Sequence, residues 1–134
     1  MKRLLLAVAV LGVAFVAITG WALEAGGVAV IETRAADGST QATHVWFAAP
    51  DGELWLEAGS PENPWFADVR RDPRLSFRAE GRAGEYLGTP FQDPAACARI
   101  RALLREKYGW RDRWVGLFVD SSQSLAVRLD PAAP

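Results

Sequence analysis

Apolar positions along this chain fall into three regimes: an unbroken run at the amino terminus, a long stretch of alternation, and one segment of helical period near residue 100. Residues 4 to 23, LLLAVAVLGVAFVAITGWAL, carry no charged side chain. Twenty residues at about 1.5 Å each reach across a hydrocarbon core of about 30 Å, so the run predicts a transmembrane helix. Lys2 and Arg3 precede it and Glu24 follows it. The positive-inside bias then puts the amino terminus in the cytoplasm and the remaining chain in a periplasmic or extracellular space. A cleaved signal peptide is the alternative. It needs small residues at the third and first positions before the cut, and Ile18/Gly20 and Leu23/Ala25 match that pattern poorly. The expected organisation is an anchor and hinge over 1–26, a folded domain over 27–130 and a tail over 131–134.

Past the hinge EAGG the pattern changes to period two. VAVIETR (28–34) and ATHVWFA (42–48) flank the turn ADGST and read as a hairpin. LWLEA (54–58) follows the turn APDGE, with Leu54 and Leu56 on one face and Trp55 and Glu57 on the other. Sequential antiparallel pairing of these three strands is the simplest expectation. RLSFRAEG (74–81) and GEYLGTPF (84–91) make a second hairpin, and SLAVRLD (124–130) a closing strand. Between the β-units, Asn63 is placed to cap and Pro64 to open a short helix through WFADVRRD. Pro73 ends it by forcing extended backbone at Asp72. Trp65 and Val69 are expected to face inward with Phe66 beside them, and Asp68, Arg70 and Arg71 to lie near the surface.

The helical period then takes over. Asp93 stands as N-cap, Pro94 as first helical residue, Ile100, Leu103, Leu104 and Tyr108 on one stripe, and Gly109 as the stop. Five or six strands with one longer helix after the fifth predict a small antiparallel α+β barrel, not a parallel α/β sheet.

Charge alters this picture only locally. Residues 24 to 69 hold eight acids and one base, Arg34, for −7, while residues 70 to 113 hold eleven bases and six acids, for +5. The halves can attract one another, or the second can present an anion-binding face. Nucleic-acid binding is not expected, because the bases are interleaved with acids and no helix-turn-helix or ribonucleoprotein motif occurs. Cys97, the sole cysteine, sits among Ala95, Ala96 and Ala98 and reads as a small buried side chain. The sole histidine, His44, reads as a structural hydrogen-bonding side chain, and no metal site is expected. DSSQS (120–124) has no glycine elbow or positioned base, and no glycine-rich phosphate loop is present.

Aromatics say more. Trp21 ends the apolar run, where indoles favour the membrane interface. Trp46, Trp55 and Trp65 are expected to border one pocket, and Trp110 and Trp114 flank RDR beyond the helix. Flat faces beside guanidinium groups suit a planar anionic ligand; tryptophans filling a small barrel core are the other explanation.

The element order and several residues resemble the deazaflavin-dependent nitroreductase and quinone reductase family, which shares the split β-barrel of pyridoxamine phosphate oxidase-like flavin-binding proteins. The matching features are Thr33 with the turn glycine Gly38, the strand exit EAGS, the pair Trp65-Phe66, RRDPRLSF, and the carboxy-terminal helix followed by a last strand. The resemblance spans about residues 28 to 130. It implies a groove for a deazaflavin, with FMN as second choice, bordered by Thr33, Arg34, Gln41 and Thr43 in the first hairpin, by Ala58, Gly59 and Ser60, and by Trp65. It implies hydride transfer from the reduced cofactor to a quinone-like or nitro acceptor, with the chemistry belonging to the cofactor and no side-chain nucleophile. Where the family's first turn resembles T-x-G-R-x-S-G-x-x-R, this chain has Ala35 at the first arginine, Asp37 at the serine and Gln41 at the last arginine. Three readings follow: a membrane-anchored oxidoreductase, a non-catalytic module binding a small planar or lipophilic molecule, and a structural domain without ligand. A homodimer is an assembly the resemblance allows.

Overall fold

The structure is a computed structural model that describes all residues except 25, 26, 80 and 134, so the expected hinge and the end of the 74–81 strand lie partly outside the described residues. Helix α1 (Lys2–Glu24) is followed by β1 (Ala29–Arg34), β2 (Thr40–Val45), β3 (Phe47–Ala48) and β4 (Leu54–Ala58). Next come α2 (Pro64–Arg71), β5 (Arg74–Ala79), β6 (Arg82–Phe91), α3 (Pro94–Tyr108), α4 (Trp110–Gly116) and β7 (Leu125–Pro131).

The strands form one antiparallel seven-stranded sheet in the order β2-β1-β5-β6-β7-β4-β3. Its two ends, β2 and β3, are separated only by Trp46, so they are two halves of one bent strand and the sheet curls round to a barrel. This corrects the expectation of a continuous 42–48 strand lying between its sequence neighbours. Thr40 to Val45 pair with β1, whereas Phe47 and Ala48 pair with Leu56 and Trp55. The longer partner of β4 is β7, with Leu56 opposite Val127 and Ala58 opposite Leu125.

Alternation sorts side chains into two cores. Leu54, Leu56 and Ala58 of β4 and Leu125, Val127 and Leu129 of β7 point into the barrel with Ile31, Phe66 and Phe77. Trp55 and Ala126, of opposite parity, cover the outer face against Ile100, Leu104 and Tyr108 of α3. α3 starts as its sequence dictates, with the Ala96 amide donating to Asp93 Oδ2 at 3.0 Å. It ends at Gly109, whose φ of 56° suits a residue without Cβ. The chain then re-enters a helix at once, α4, which the sequence pattern did not predict.

α2 crosses one end of the barrel. Phe66 and Val69 are buried beneath it, and Gly88 on β6 lets it approach, since a Cβ there would lie 2.8 Å from Val69 Cγ1. Asp68, expected near the surface, is 5% exposed. It accepts from Thr33 Oγ1 at 2.9 Å and from Arg71 at 3.0 Å, and Arg71 also donates to the Arg34 carbonyl at 2.6 Å. The carboxylate thus ties α2 to β1, and its burial is tolerated because it is paired and hydrogen-bonded.

Candidate functional site

A groove of about 470 Å³ opens where β2, the Trp46 bend, the exit of β4, the start of α2 and α4 converge. Its volume lies within the range usual for small-molecule sites. Gln41 and Thr43 reach it from alternate positions of β2, Gly59 from the end of β4, and Trp65 from the first turn of α2. These four of the eight residues expected around a cofactor are brought together. The other four are not among the lining residues. Thr33 shares the inward parity of Ala29 and Ile31 and spends its hydroxyl on Asp68. Arg34 borders, with Thr33, a separate polar cleft of about 210 Å³. Ala58 is fully buried in the barrel core, and Ser60 is half-buried beyond the groove.

Two of the three tryptophans expected around one pocket reach it. Trp46 is half-buried at the bend and stacks on Tyr108, with ring centroids 4.3 Å apart and planes 13° apart. Trp65 is 3% exposed and meets Phe66 edge to face, so it offers the groove only part of its ring. Trp55 faces away, against Phe91 at 5.5 Å and under the Arg99 guanidinium at 4.9 Å. Alternation explains the division, because Trp55 sits one residue out of phase with Leu54 and Leu56.

The groove's floor is an ion triad that sequence reasoning missed. Arg101 of α3 donates to Glu57 Oε1 of β4 at 2.6 Å and to Asp112 Oδ1 of α4. All three side chains are largely buried, at 16%, 11% and 7% exposure. Burial by itself pushes the Arg101 guanidinium down; the charge and hydrogen bonds of Glu57, then Asp112, outweigh it and raise the group above its usual range. A sequence signal existed: Arg101 lies on the stripe Cys97, Leu104, Tyr108 of α3, where an arginine must find buried partners. Ser124, 3% exposed, lines the groove with an Oγ that has no hydrogen-bond partner among the described residues.

The charge balance of the lining is acidic. Glu57, Asp112 and Asp120 face one cation, Arg101, which the first two already engage. Ser39 and Ser122 amides bond the carboxylates of Asp37 and Asp120, and these bonds hold both groups below the ordinary carboxylate range, with the Ser39 hydroxyl the largest cause at Asp37. Among the described residues no three His, Cys, Asp or Glu side chains gather as metal ligands would.

The fold recurs among solved structures. A conserved hypothetical protein from Mycobacterium tuberculosis superposes with a TM-score of 0.65 at 22% identity, covering 88% of this chain and 80% of that one. An F420 reductase superposes with a TM-score of 0.58 at 18% identity over 83% of this chain and 90% of its own. A heme storage protein from Vibrio cholerae gives 0.61 at 14% identity over 87% and 89%. At these identities the likeness establishes the fold alone, a curled antiparallel barrel shared also with a putative pyridoxamine 5'-phosphate oxidase from Listeria innocua (TM-score 0.56, 20% identity, 84% of this chain and 89% of that one). No family model matches the sequence, and no curated protein does.

Proposed function

We propose that this protein is a membrane-anchored oxidoreductase of the deazaflavin or flavin split-barrel type, which binds a flat redox-active ring in the groove and serves a quinone-like or nitro acceptor. The observation that carries this reading is the convergence of Gln41, Thr43, Gly59 and Trp65 on one groove of ligand size, backed by the bend at Trp46. A flat ring is also what an F420 reductase and a heme storage protein have in common as ligand chemistry. α1 supplies the anchor: Lys2–Ala22 has a mean hydropathy of 2.5 and is long enough to cross a bilayer.

The residues fit the ring better than the tail. Gln41 carries an amide and Thr43 a hydroxyl for the polar edge of a ring, while Trp46, Trp65 and Val115 supply apolar wall. A reduced deazaflavin or flavin, when bound, supplies the hydride, and the chain's part is to position ring and acceptor and to exclude water. The phosphate and acidic tail of such cofactors find no available cation among the described lining residues, because Arg101 is held by two carboxylates. Cofactor affinity is therefore expected to rest on the ring.

The test is titration of the full chain in nanodiscs with reduced deazaflavin and with reduced FMN, read by quenching of tryptophan fluorescence. Saturable binding, followed by cofactor oxidation on adding a soluble quinone, supports the reading. No fluorescence change at high protein concentration overturns it. The acidic lining favours a second reading, a non-catalytic module for an uncharged planar or lipophilic molecule. Native mass spectrometry that finds only redox cofactors retained would count against it.

A further inference from the structure

We infer that the segment from Trp110 to Val119 descends beside α1 from headgroup level, where Trp110 to Arg113 lie, to immersion in the membrane over Trp114 to Val119, seating the mouth of the groove on the bilayer, so that the groove draws its quinone-like acceptor from lipid. This rests on the reading of α1 as a membrane anchor. The two helices touch in a graded order. Trp110 meets Trp21, with ring centroids 5.4 Å apart. One turn on, Trp114 donates from Nε1 to Thr19 Oγ1 at 3.1 Å and lies 5.9 Å from Phe15. Phe118 closes edge-on against Phe15 at 5.0 Å. As the chain advances from 110 to 118, its contacts on α1 move back from 21 to 15. The segment therefore runs antiparallel to the anchor and descends along it. Six residues of helix correspond to about 9 Å of depth.

Side-chain chemistry follows the same gradient. Arg111 lies over the Trp21 and Trp110 rings at 5.9 and 5.8 Å, the basic and aromatic pairing expected at headgroup level. Asp112 turns away to Arg101. From Trp114 to Val119, WVGLFV, no residue is charged. Leu117 is 72% exposed, Phe118 59% and Val119 52%. Bare apolar side chains of this size in a row mark a surface that meets something apolar, and they continue directly from the bare flank of α1. Asp120, which accepts from the Ser122 amide, then turns the chain to the groove. The other side of the same segment forms groove wall through Val115 and Gly116, and Val119 stands at the edge shared by the two. One short element thus separates lipid from groove, and a ligand that partitions into the bilayer has the shortest route in.

The experiment uses the full chain in nanodiscs, with Cys97→Ala as background and a nitroxide placed singly by Leu117→Cys, Phe118→Cys, Val10→Cys in the anchor, or Ala36→Cys in the first turn. Collision with oxygen and with a water-soluble nickel chelate reports depth. Labels at 117 and 118 are expected to behave like that at 10, favouring oxygen. Should they behave like 36 while 10 stays in lipid, the inference falls and the anchor stands. An aqueous label at 10 overturns both. For the ligand class, a label by Ser121→Cys at the groove is expected to lose mobility when decylubiquinone is dissolved in the same nanodiscs. An unchanged spectrum there overturns entry of a bilayer-borne ring.

Discussion

Arg101→Met separates the structural part of the groove from its ligand chemistry. Methionine keeps an unbranched apolar stem like that of arginine but removes the guanidinium that holds Glu57 and Asp112. Those carboxylates, 11% and 7% exposed, lose their shared cation, and only the exposed Arg105, 4.0 Å from Asp112 Oδ2, remains near one of them. Breaking a buried ion pair by removing one partner costs about 3–5 kcal/mol, because the uncompensated charge keeps its desolvation penalty. At about 4 °C per kcal/mol for a domain of this size, Tm should fall by about 12–20 °C. The assay is thermal unfolding of the full chain in detergent, followed by intrinsic fluorescence. Adding Glu57→Gln and Asp112→Asn to the same chain should recover most of the loss, since the charge that needed pairing is then gone. A loss below about 1 kcal/mol in the single variant would refute the argument and show a triad screened by solvent. A charge-free triple variant less stable than Arg101→Met would refute it as well.

Four further outcomes are expected. Gly88→Ala should lose about 1–3 kcal/mol by overpacking, because its Cβ would stand 2.8 Å from Val69 Cγ1 and 3.2 Å from Val127 Cγ1. Denaturant unfolding measures this, and Val69→Ala in the same chain should return part of it; additive losses would contradict the proposed clash. Ser124→Ala should be neutral or stabilising, since it deletes a buried hydroxyl without a partner among the described residues; a Tm drop worth more than about 1 kcal/mol would show that the hydroxyl is engaged. Gln41→Arg places a cation on the groove wall and should tighten FMN binding by about 1.5–3 kcal/mol through a charge-assisted bond; equal Kd values for the two proteins would argue that the phosphate lies elsewhere. Burial, with a smaller contribution from Asp93, pushes the Cys97 thiol up against the lowering effect of the Ala126 backbone bond. Less thiolate is then present at pH 8, so iodoacetamide should react more slowly with Cys97 than with glutathione, and an equal or faster rate would contradict the shift.

What was legible in the sequence is what local chemistry decides. Asp93 and Pro94 start α3 wherever the helix packs, and the alternation of Leu54, Trp55 and Leu56 fixes which side each takes once a sheet exists. The bend at Trp46 was not legible, because ATHVWFA carries no glycine, proline or other turn residue to mark a break. Its division between β1 and β4 comes from closing the barrel through the β4–β7 pairing, about seventy residues apart in sequence. α4 was hidden for a related reason: its seven residues carry no repeat long enough to read, and its aromatic face packs on α1. Thr33 and Ala58 show a sharper lesson. Both were expected at a cofactor from their place in a motif, yet their parity with Ile31 and Leu56 turns them into the interior. Gln41 and Thr43, of common parity on β2, are brought to the groove together.

The uneven charge of the chain also finds its use inside the molecule. Glu57 from the acidic first half meets Arg101 from the basic second half, and Asp112 completes the triad. Arg71 is spent in the same way, on Asp68 and the Arg34 carbonyl. Two of the cations that a composition argument would offer to an anionic ligand, Arg71 and Arg101, are thus consumed in holding α2, α3 and α4 to the barrel. Under the proposed function, recognition in this groove rests on flat apolar area and a few hydrogen bonds, because a net acidic lining does not favour phosphate. A quinone-like acceptor without phosphate concentrates in lipid, so the electrostatics of the groove and the aromatic docking of α4 on α1 support the two proposals from opposite sides of one short helix.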